Sequence, residues 1–130
     1  ALNIRKLKNI PSNVHIYDYV PQLSVLNMAD VFVTHGGMNS VSEALVYMTP
    51  MVVIPFVSDQ PVNAGCIERL GIGRRLEPEQ VNKETLRACV FNVLFNRDMK
   101  ENFNKISEFI KNAPGNAGGA EMIIDFGGRP

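Results

Sequence analysis

The sequence predicts an α/β fold: a Rossmann-like parallel sheet with helices on both faces. Short runs rich in β-branched residues alternate with segments in which apolar residues recur every three or four positions. The runs at 31–34 and 51–56 are apolar almost throughout, as is typical of strands that helices cover on both faces. Because strand and helix alternate repeatedly, the strands are expected to be parallel and joined by right-handed crossovers.

Length, charge and composition narrow the class of protein. The chain has 130 residues, of which 45% are hydrophobic, and 13 basic residues balance 13 acidic ones. This length fits one globular domain or part of one, and the charge balance gives no reason to expect a nucleic acid or an anionic membrane as partner. No apolar run approaches the ~20 residues that span a bilayer, and no signal peptide opens the sequence. We therefore expect a soluble, cytoplasmic protein.

Metal and redox chemistry have no motif in this sequence. Cys66 and Cys89 lack CxxC spacing and are predicted to be buried free thiols on helix faces. His15 and His35 have no cysteine or carboxylate at zinc-ligand spacing. The stretch at 71–76 begins like a dinucleotide-binding GxGxxG motif, but it lacks the third glycine and precedes a strand. Neither a metal nor a bound cofactor is expected.

The first part of the chain carries one predicted strand and one short helix. Residues 2–10 are basic and lightly apolar, which is compatible with a short helix, and Pro11-Ser12-Asn13 is typical of a turn. Polar and apolar residues alternate over Val14–Val20, so a strand with one partly covered face is predicted there. Pro21 suits the first position of a short helix.

A strand, a glycine turn and a helix occupy the centre of the chain. The strand is predicted at Val31–Thr34, and Gly36 and Gly37 can adopt positive φ and let a ligand approach the backbone. A helix beginning at Asn39 or Ser40 would carry one apolar face made of Val41, Ala44, Leu45 and Met48. Because the first N–H groups of a helix lack partners and carry the positive end of its dipole, the turn is a candidate phosphate site. An ordinary strand-to-helix turn has the same form, so a purely structural role stays an equal alternative.

Strands and helices continue to alternate in the second half. A third strand is predicted at Met51–Phe56 and a fourth at Ile72–Leu76. Between them a helix would start at Pro61 and end before Gly71. Its apolar face would carry Val62, Cys66 and Leu70. Three further helices are predicted. Asn82 would cap the first, Asp98–Glu101 has the form of a capping box and would begin the second, and Ala120–Phe126 is a short apolar segment that could form the third.

Three turns follow the predicted strands at their carboxyl ends. They are Tyr19–Gln22, His35–Ser40 and Val57–Gln60. Ligands of open parallel sheets bind outside the carboxyl ends of the strands. The three turns are therefore expected to share one rim of the molecule.

Motifs in these turns resemble the donor-sugar half of the glycosyltransferase family that includes macrolide glycosyltransferases and UDP-glucuronosyl- and UDP-glucosyltransferases. The similarity runs from about Pro11 to about Phe126. It rests on three motifs in order: Tyr19-Val20-Pro21-Gln22, then Thr34-His35-Gly36-Gly37-Met38-Asn39-Ser40 followed by Glu43, then Asp59-Gln60. The resemblance implies part of the C-terminal, donor-binding domain of a GT-B fold. Residues 1–130 would form a single partial domain, with the acceptor-binding N-terminal domain and the first strands of the donor sheet absent.

The resemblance further implies a nucleoside diphosphate sugar, such as UDP-glucose, lying along the rim. The donor-binding residues would be Tyr19, Val20, Gln22, His35, Gly37, Met38, Asn39, Ser40, Glu43, Asp59 and Gln60. Tyr19 would stack on the base where the family often has tryptophan, and its smaller ring leaves the identity of the base open. Gln22 would hydrogen-bond to the base, and Glu43 would accept hydrogen bonds from the ribose hydroxyls.

The resemblance implies that the other residues bind the diphosphate and the transferred sugar. Ser40 and the N–H groups around residues 37–40 would hold the diphosphate, with His35 near its oxygens as stabiliser of the leaving group. Asp59 and Gln60 would bind hydroxyls of the transferred sugar. Asp59 would matter more, because a hydrogen bond to a charged acceptor is worth roughly 1.5–3 kcal/mol, against about 1 for a neutral one.

These residues also have structural alternatives. Ser40 and Glu43 stand at capping-box spacing, in which Glu43 would turn back to the Ser40 N–H. Asp59 would be favourable near the positive end of the following helix, by ~0.3–1 kcal/mol. Three more candidates have a structural alternative each. Tyr19 could pack in the core, Gln22 could belong to a helix start, and His35 could orient the turn.

The family's reaction is an inverting displacement in which an acceptor hydroxyl attacks the anomeric carbon. A histidine of the other domain would deprotonate that hydroxyl, so no catalytic base is expected in this chain. The sequence contains no Asp-x-Asp pair, which favours transfer without a metal. Alone, the chain is expected to bind donor weakly or not at all, not to turn over, and to self-associate through an open sheet edge. Two other interpretations stay open: a non-catalytic nucleotide-sugar-binding subunit paired with a separate acceptor-binding protein, and a nucleotide-sugar epimerase of similar architecture.

Overall fold

Helices and strands alternate along residues 9–112, the part of the chain that the computed structural model describes. In order they are α1 (Gln22–Leu26), β1 (Phe32–Thr34), α2 (Met38–Val46), β2 (Met51–Val53), α3 (Gln60–Arg69), β3 (Gly73–Arg75), a 3₁₀ helix (Pro78–Gln80), α4 (Lys83–Phe95) and α5 (Arg97–Lys111). The helix predicted at 120–126 and most of the segment at 2–10 lie outside the described residues.

The three strands of the described region form one parallel sheet in the order β1-β2-β3. Val33 pairs with Val52, and Val52 pairs with Arg74. The predicted α/β class with parallel strands is therefore confirmed, and β2 is its central strand. Because all three strands run the same way, the turns after β1 and β2 leave the sheet at the same edge.

Helices cover both faces of this sheet, as the apolar strand β2 predicted. Met51 and Val53 face one core, and Val52 between them faces the other; all three are fully buried. The first core is completed by side chains of α1, α2, α3 and α5, among them Leu26, Val41, Ala44, Ala64, Ile67 and Phe103. The second core contains Leu76, Val93 of α4 and Met99 of α5.

The strand predicted at residues 14–20 is wrong. These residues form no regular element, and Val14, Tyr17 and Val20 are exposed. A strand is stable only when a neighbour satisfies its N–H and C=O groups, and no described strand lies alongside this segment. Polar and apolar residues do alternate in this segment, but alternation alone does not provide a neighbouring strand to pair with.

Several helix ends differ from the sequence prediction. The helix α2 begins at Met38, with Gly37 as its N-cap and no side-chain cap, so the capping box of Ser40 and Glu43 does not form. The helix α3 begins at Gln60, one residue before Pro61. The cap of α5 is Asn96, whose Oδ1 accepts from the N–H groups of Asp98 and Met99, and not Asp98 itself.

Two local signals were correct. The Asn82 side chain accepts from the N–H groups of Glu84 and Thr85, and Thr85 Oγ1 accepts from the Asn82 N–H, so a complete capping box begins α4. Gly71 follows α3 with φ of +64°, the left-handed conformation that ends many helices. Both features depend only on residues a few positions apart, so they can be predicted from the sequence.

Cys66 and Cys89 are free thiols, as predicted, but they are half-buried and not fully buried. In residues 9–112, no helix combines the length and apolar character required to traverse a lipid bilayer. The cytoplasmic location stays a prediction.

Candidate functional site

The chain turns sharply after β1, and two glycines make this turn possible. Gly36 has φ of +85°, and a Cβ on it would lie 2.5 Å from Val53 Cγ1. Its N–H donates to Thr34 Oγ1 at 3.2 Å. A side chain at position 36 would therefore be strained and would clash with the central strand. The close approach of this turn to β2 requires glycine.

The turn delivers the chain onto an uncapped helix end. Gly37 is extended, with φ of −64° and ψ of 142°, and no side chain caps the first N–H groups of α2. The ring of the exposed His35 lies above it, because a Cβ on Gly37 would be 2.7 Å from His35 Nε2. The His35 imidazole therefore lies beside the N-cap of a nine-residue helix, where the positive end of the helix dipole lies. Such an arrangement can hold an anion.

Gln22, Ser40 and Glu43 meet beside this helix end. Gln22 Nε2 donates to Glu43 Oε2 at 2.6 Å and to Ser40 Oγ at 3.3 Å. All three side chains are half-buried, and the partners are 21 and 18 residues apart in sequence. The first residue of α1 is thus joined to the first two turns of α2. Glu43 is engaged by Gln22, which is why it does not turn back to its own helix end.

Asp59 and the glycine turn share a partner that sequence reasoning missed. Asn63 of α3 is 7% exposed, and its Nδ2 donates to Asp59 Oδ2 at 2.8 Å and to the Gly36 carbonyl at 2.9 Å. Asp59 occupies the N-cap position of α3, but its carboxylate does not cap the helix. One buried amide therefore links the loop after β2 to the turn after β1.

The face of α3 that packs inward was also mispredicted. The buried residues of this helix are Asn63, Ala64 and Ile67, whereas Val62 and Leu70 are exposed. Sequence reasoning selected the apolar residues 62, 66 and 70 and made no prediction for Asn63. The spacing of four residues between Asp59 and Asn63 was the one available signal, since it places both side chains on one side of a helix.

Gln60 shapes the loop after β2. Its Oε1 accepts from the N–H groups of Phe56 at 2.8 Å and Val57 at 3.1 Å. Ser58 in the same loop has φ of +59°. The carbonyl of the Gln60 amide therefore holds the loop, and the Nε2 group is the part of this side chain that can face a ligand.

The remaining candidate residues are on the surface. Tyr19 is 84% exposed, so the alternative that it packs in the core is wrong. Val20, Met38 and Asn39 are exposed as well. Tyr19 lies three residues before Gln22, on the segment that leads into α1.

Hydrogen bonds bring two groups of the predicted residues together. Gln22 bonds to Ser40 and Glu43 of α2, and Asn63 bonds both to Asp59 and to the Gly36 carbonyl, next to the start of that helix. That all of the predicted residues share one rim and bind a ligand there stays a prediction. In residues 9–112, no three His, Cys, Asp or Glu side chains gather as metal ligands would.

Solved structures share this arrangement of strands and helices. The structure of the glycotransferase of kitacinnamycin matches 95% of this chain and 32% of its own, with a TM-score of 0.88 and 37% sequence identity. The calicheamicin glycosyltransferase CalG4 matches 98% of this chain and 32% of its own, with a TM-score of 0.86 and 28% identity. The chain therefore has part of the fold of GT-B glycosyltransferases.

More particularly, the chain belongs to the family described as UDP-glucoronosyl and UDP-glucosyl transferase, whose model matches residues 2–117. The uncharacterized UDP-glucosyltransferase YojK of Bacillus subtilis is 40% identical over 120 residues, 92% of this chain and 30% of that protein. The oleandomycin glycosyltransferase of Streptomyces antibioticus is 32% identical over 118 residues, 91% of this chain and 27% of that protein. The chain thus spans less than a third of the length of these relatives.

Proposed function

We propose that this chain is the donor-binding part of a glycosyltransferase that transfers a hexose from a nucleoside diphosphate sugar to a hydroxyl of a small-molecule acceptor. The observation that carries the proposal is a pair of hydrogen-bonded groups near the uncapped start of α2: Gln22 with Ser40 and Glu43, and Asn63 with Asp59 and the Gly36 carbonyl. A nucleoside diphosphate sugar is an anion with hydroxyls on both sides of its charge. The N–H groups at the start of α2 suit the diphosphate, and the carboxylates of Glu43 and Asp59 suit the hydroxyls.

The residues would divide the donor among them. Tyr19 would stack on the base, which we take to be uracil, and Gln22 would hydrogen-bond to it. Glu43 would accept hydrogen bonds from the ribose hydroxyls, and these would partly replace its hydrogen bond from Gln22. Asp59 and the Nε2 group of Gln60 would bind the hexose hydroxyls.

The diphosphate would occupy the start of α2. Ser40 Oγ accepts from Gln22, which leaves its own hydrogen free to donate to a phosphate oxygen. The N–H groups around residues 37–40 and the His35 ring would stabilise the negative charge that develops as the diphosphate leaves. Donors fixed where charge develops are often the largest contribution to lowering a barrier.

The reaction would be an inverting, metal-independent displacement. The acceptor oxygen would form its bond to the anomeric carbon as the bond to the diphosphate breaks. The base that takes the proton of the acceptor hydroxyl would come from an acceptor-binding domain outside this chain. This chain would thus supply donor binding and leaving-group stabilisation.

Titration calorimetry on the full-length protein that carries these residues tests the proposal. UDP, UDP-glucose, UDP-N-acetylglucosamine and dTDP-glucose would be compared for the wild type and Asp59→Ala. We expect binding of UDP-glucose to weaken about 10-fold or more in the variant, with little change for UDP. Glu68→Ala, at the exposed far end of α3, is the matched control.

Failure of the wild type to bind any of these nucleotides would refute the proposal. Equal affinity for UDP-glucose before and after the Asp59 change would remove Asp59 from the sugar site. Epimerisation of the donor in the absence of an acceptor would favour the epimerase instead. An encoding frame that lacks an acceptor-binding domain would favour the separate binding subunit.

A further inference from the structure

We propose that Asn63 is a positioning residue of the donor site: it fixes the Asp59 carboxylate relative to the glycine turn and so sets the distance between sugar binding and diphosphate binding. This inference rests on the proposed function. It assigns a role to a residue that makes no donor contact in the proposal above. The juxtaposition that carries it is one buried amide between two loops.

The hydrogen bonds of Asn63 use its donor group completely. A primary amide nitrogen carries two hydrogens, and here one is directed to Asp59 Oδ2 at 2.8 Å and the other to the Gly36 carbonyl at 2.9 Å. Asn63 is 7% exposed, whereas Asp59 is exposed. A buried, packed residue therefore holds a surface carboxylate that would otherwise rotate freely.

The two hydrogen bonds explain why position 63 is an asparagine. Both partners are acceptors, so position 63 needs two hydrogens from one short side chain. Aspartate would have the same shape but would place its carboxylate against a carbonyl and another carboxylate. Serine could satisfy one partner, alanine neither, and glutamine would add a methylene to a packed position.

The bond to Asn63 leaves the carboxylate of Asp59 ready for a ligand. Oδ2 is occupied by the amide, so Oδ1 stays free to accept from a sugar hydroxyl. An unrestrained carboxylate would lose side-chain freedom on binding, which weakens affinity. The second bond holds the Gly36 carbonyl, and the next residue, Gly37, begins the helix that faces the diphosphate. Asn63 therefore couples the two ends of the site.

The coupling is tested in the full-length protein with Asn63→Ala, Asp59→Ala and the double variant. The readout is the ratio of the dissociation constants for UDP-glucose and UDP. We expect Asn63→Ala to raise this ratio about 5-fold or more. In the Asp59→Ala background the same change should leave the ratio unaltered, because the carboxylate that it positions is gone. Asn63→Ser, which retains one hydrogen, should give an intermediate ratio.

An equal loss of affinity for UDP and UDP-glucose in Asn63→Ala would overturn the inference, since a merely structural residue has that effect. The ratio also separates the two proposals. A wild type that binds neither nucleotide refutes the donor site itself, whereas normal wild-type binding with an unchanged ratio refutes only the role of Asn63.

A measurement on proteins that retain Asn63 avoids dependence on the folding of Asn63 variants. In ¹⁵N-labelled protein, one side-chain amide proton of Asn63 should shift in Asp59→Ala and on addition of UDP-glucose. The proton paired with Gly36 should shift on addition of UDP. Absence of a response to both the Asp59 change and UDP-glucose would overturn the inference.

Discussion

Gln22 donates a 2.6 Å hydrogen bond to Glu43, which lies 21 residues further along the chain. The bond is charge-assisted, because the acceptor is a carboxylate, and such bonds are roughly twice as strong as neutral ones. It holds the start of α1 against α2. The base end and the ribose end of the proposed donor site are thus assembled by the fold.

Changing Gln22 alone should lower the stability of the protein, and exchanging Gln22 and Glu43 with each other should restore it. Gln22→Glu places two carboxylates in contact and should lower the free energy of unfolding by about 1–3 kcal/mol. The double variant Gln22→Glu, Glu43→Gln restores a donor opposite a carboxylate and should recover most of that loss. Urea unfolding measures both. If the double variant is as unstable as the sum of the two single changes, the bond contributes nothing to the fold.

Gly36→Ala should destabilise the chain by about 2–4 kcal/mol. The substitution combines a positive φ with a Cβ only 2.5 Å from Val53 Cγ1. Gly65→Ala is the matched control, because a Cβ there meets nothing within 4 Å and Gly65 lies inside α3. The control should gain about 0.5–1 kcal/mol from better helix propensity. Similar unfolding midpoints for the two variants would contradict this account of the turn.

Ser40→Ala should weaken binding of UDP about 10-fold or more, since a hydrogen bond to a charged phosphate oxygen would be lost. Calorimetric titration of UDP measures the effect. Ser42→Ala changes the same residue type on the same helix, at an exposed position two residues away. Its affinity for UDP should match the wild type. Equal affinities for all three proteins would remove Ser40 from the diphosphate site.

Tyr19→Ala should weaken UDP binding about 5-fold or more, because loss of a stacked base costs about 1–3 kcal/mol. Tyr19→Trp should bind UDP at least as tightly as the wild type, since an indole offers more area for stacking. Tyr17→Ala is the control, as Tyr17 is exposed on the same segment two residues away. The stacking role would be refuted if the Tyr17 and Tyr19 variants bound UDP alike.

Features encoded by neighbouring residues could be predicted from the sequence. The fully apolar strand β2 indicated a sheet covered on both faces, and the Asn82 box and Gly71 marked a helix start and a helix end. Each depends on residues a few positions apart, so no knowledge of packing is needed. That the turns after β1 and β2 lie at one edge followed from the parallel strands, because their carboxyl ends leave the sheet on the same side.

Tertiary structure decided what depends on partners far along the chain. The segment 14–20 has a strand's alternation but no described neighbour to pair with, and Glu43 has capping-box spacing but bonds to Gln22. The buried face of α3 is set by contact with the sheet and the glycine turn, which turned Asn63 inward and left Val62 outside. Sequence alone predicted the alternation of helices and strands after residue 20 and the edge of the sheet at which we propose that the donor binds. Packing chose the hydrogen-bond partners, because a polar side chain takes whichever acceptor the folded chain brings within about 3 Å.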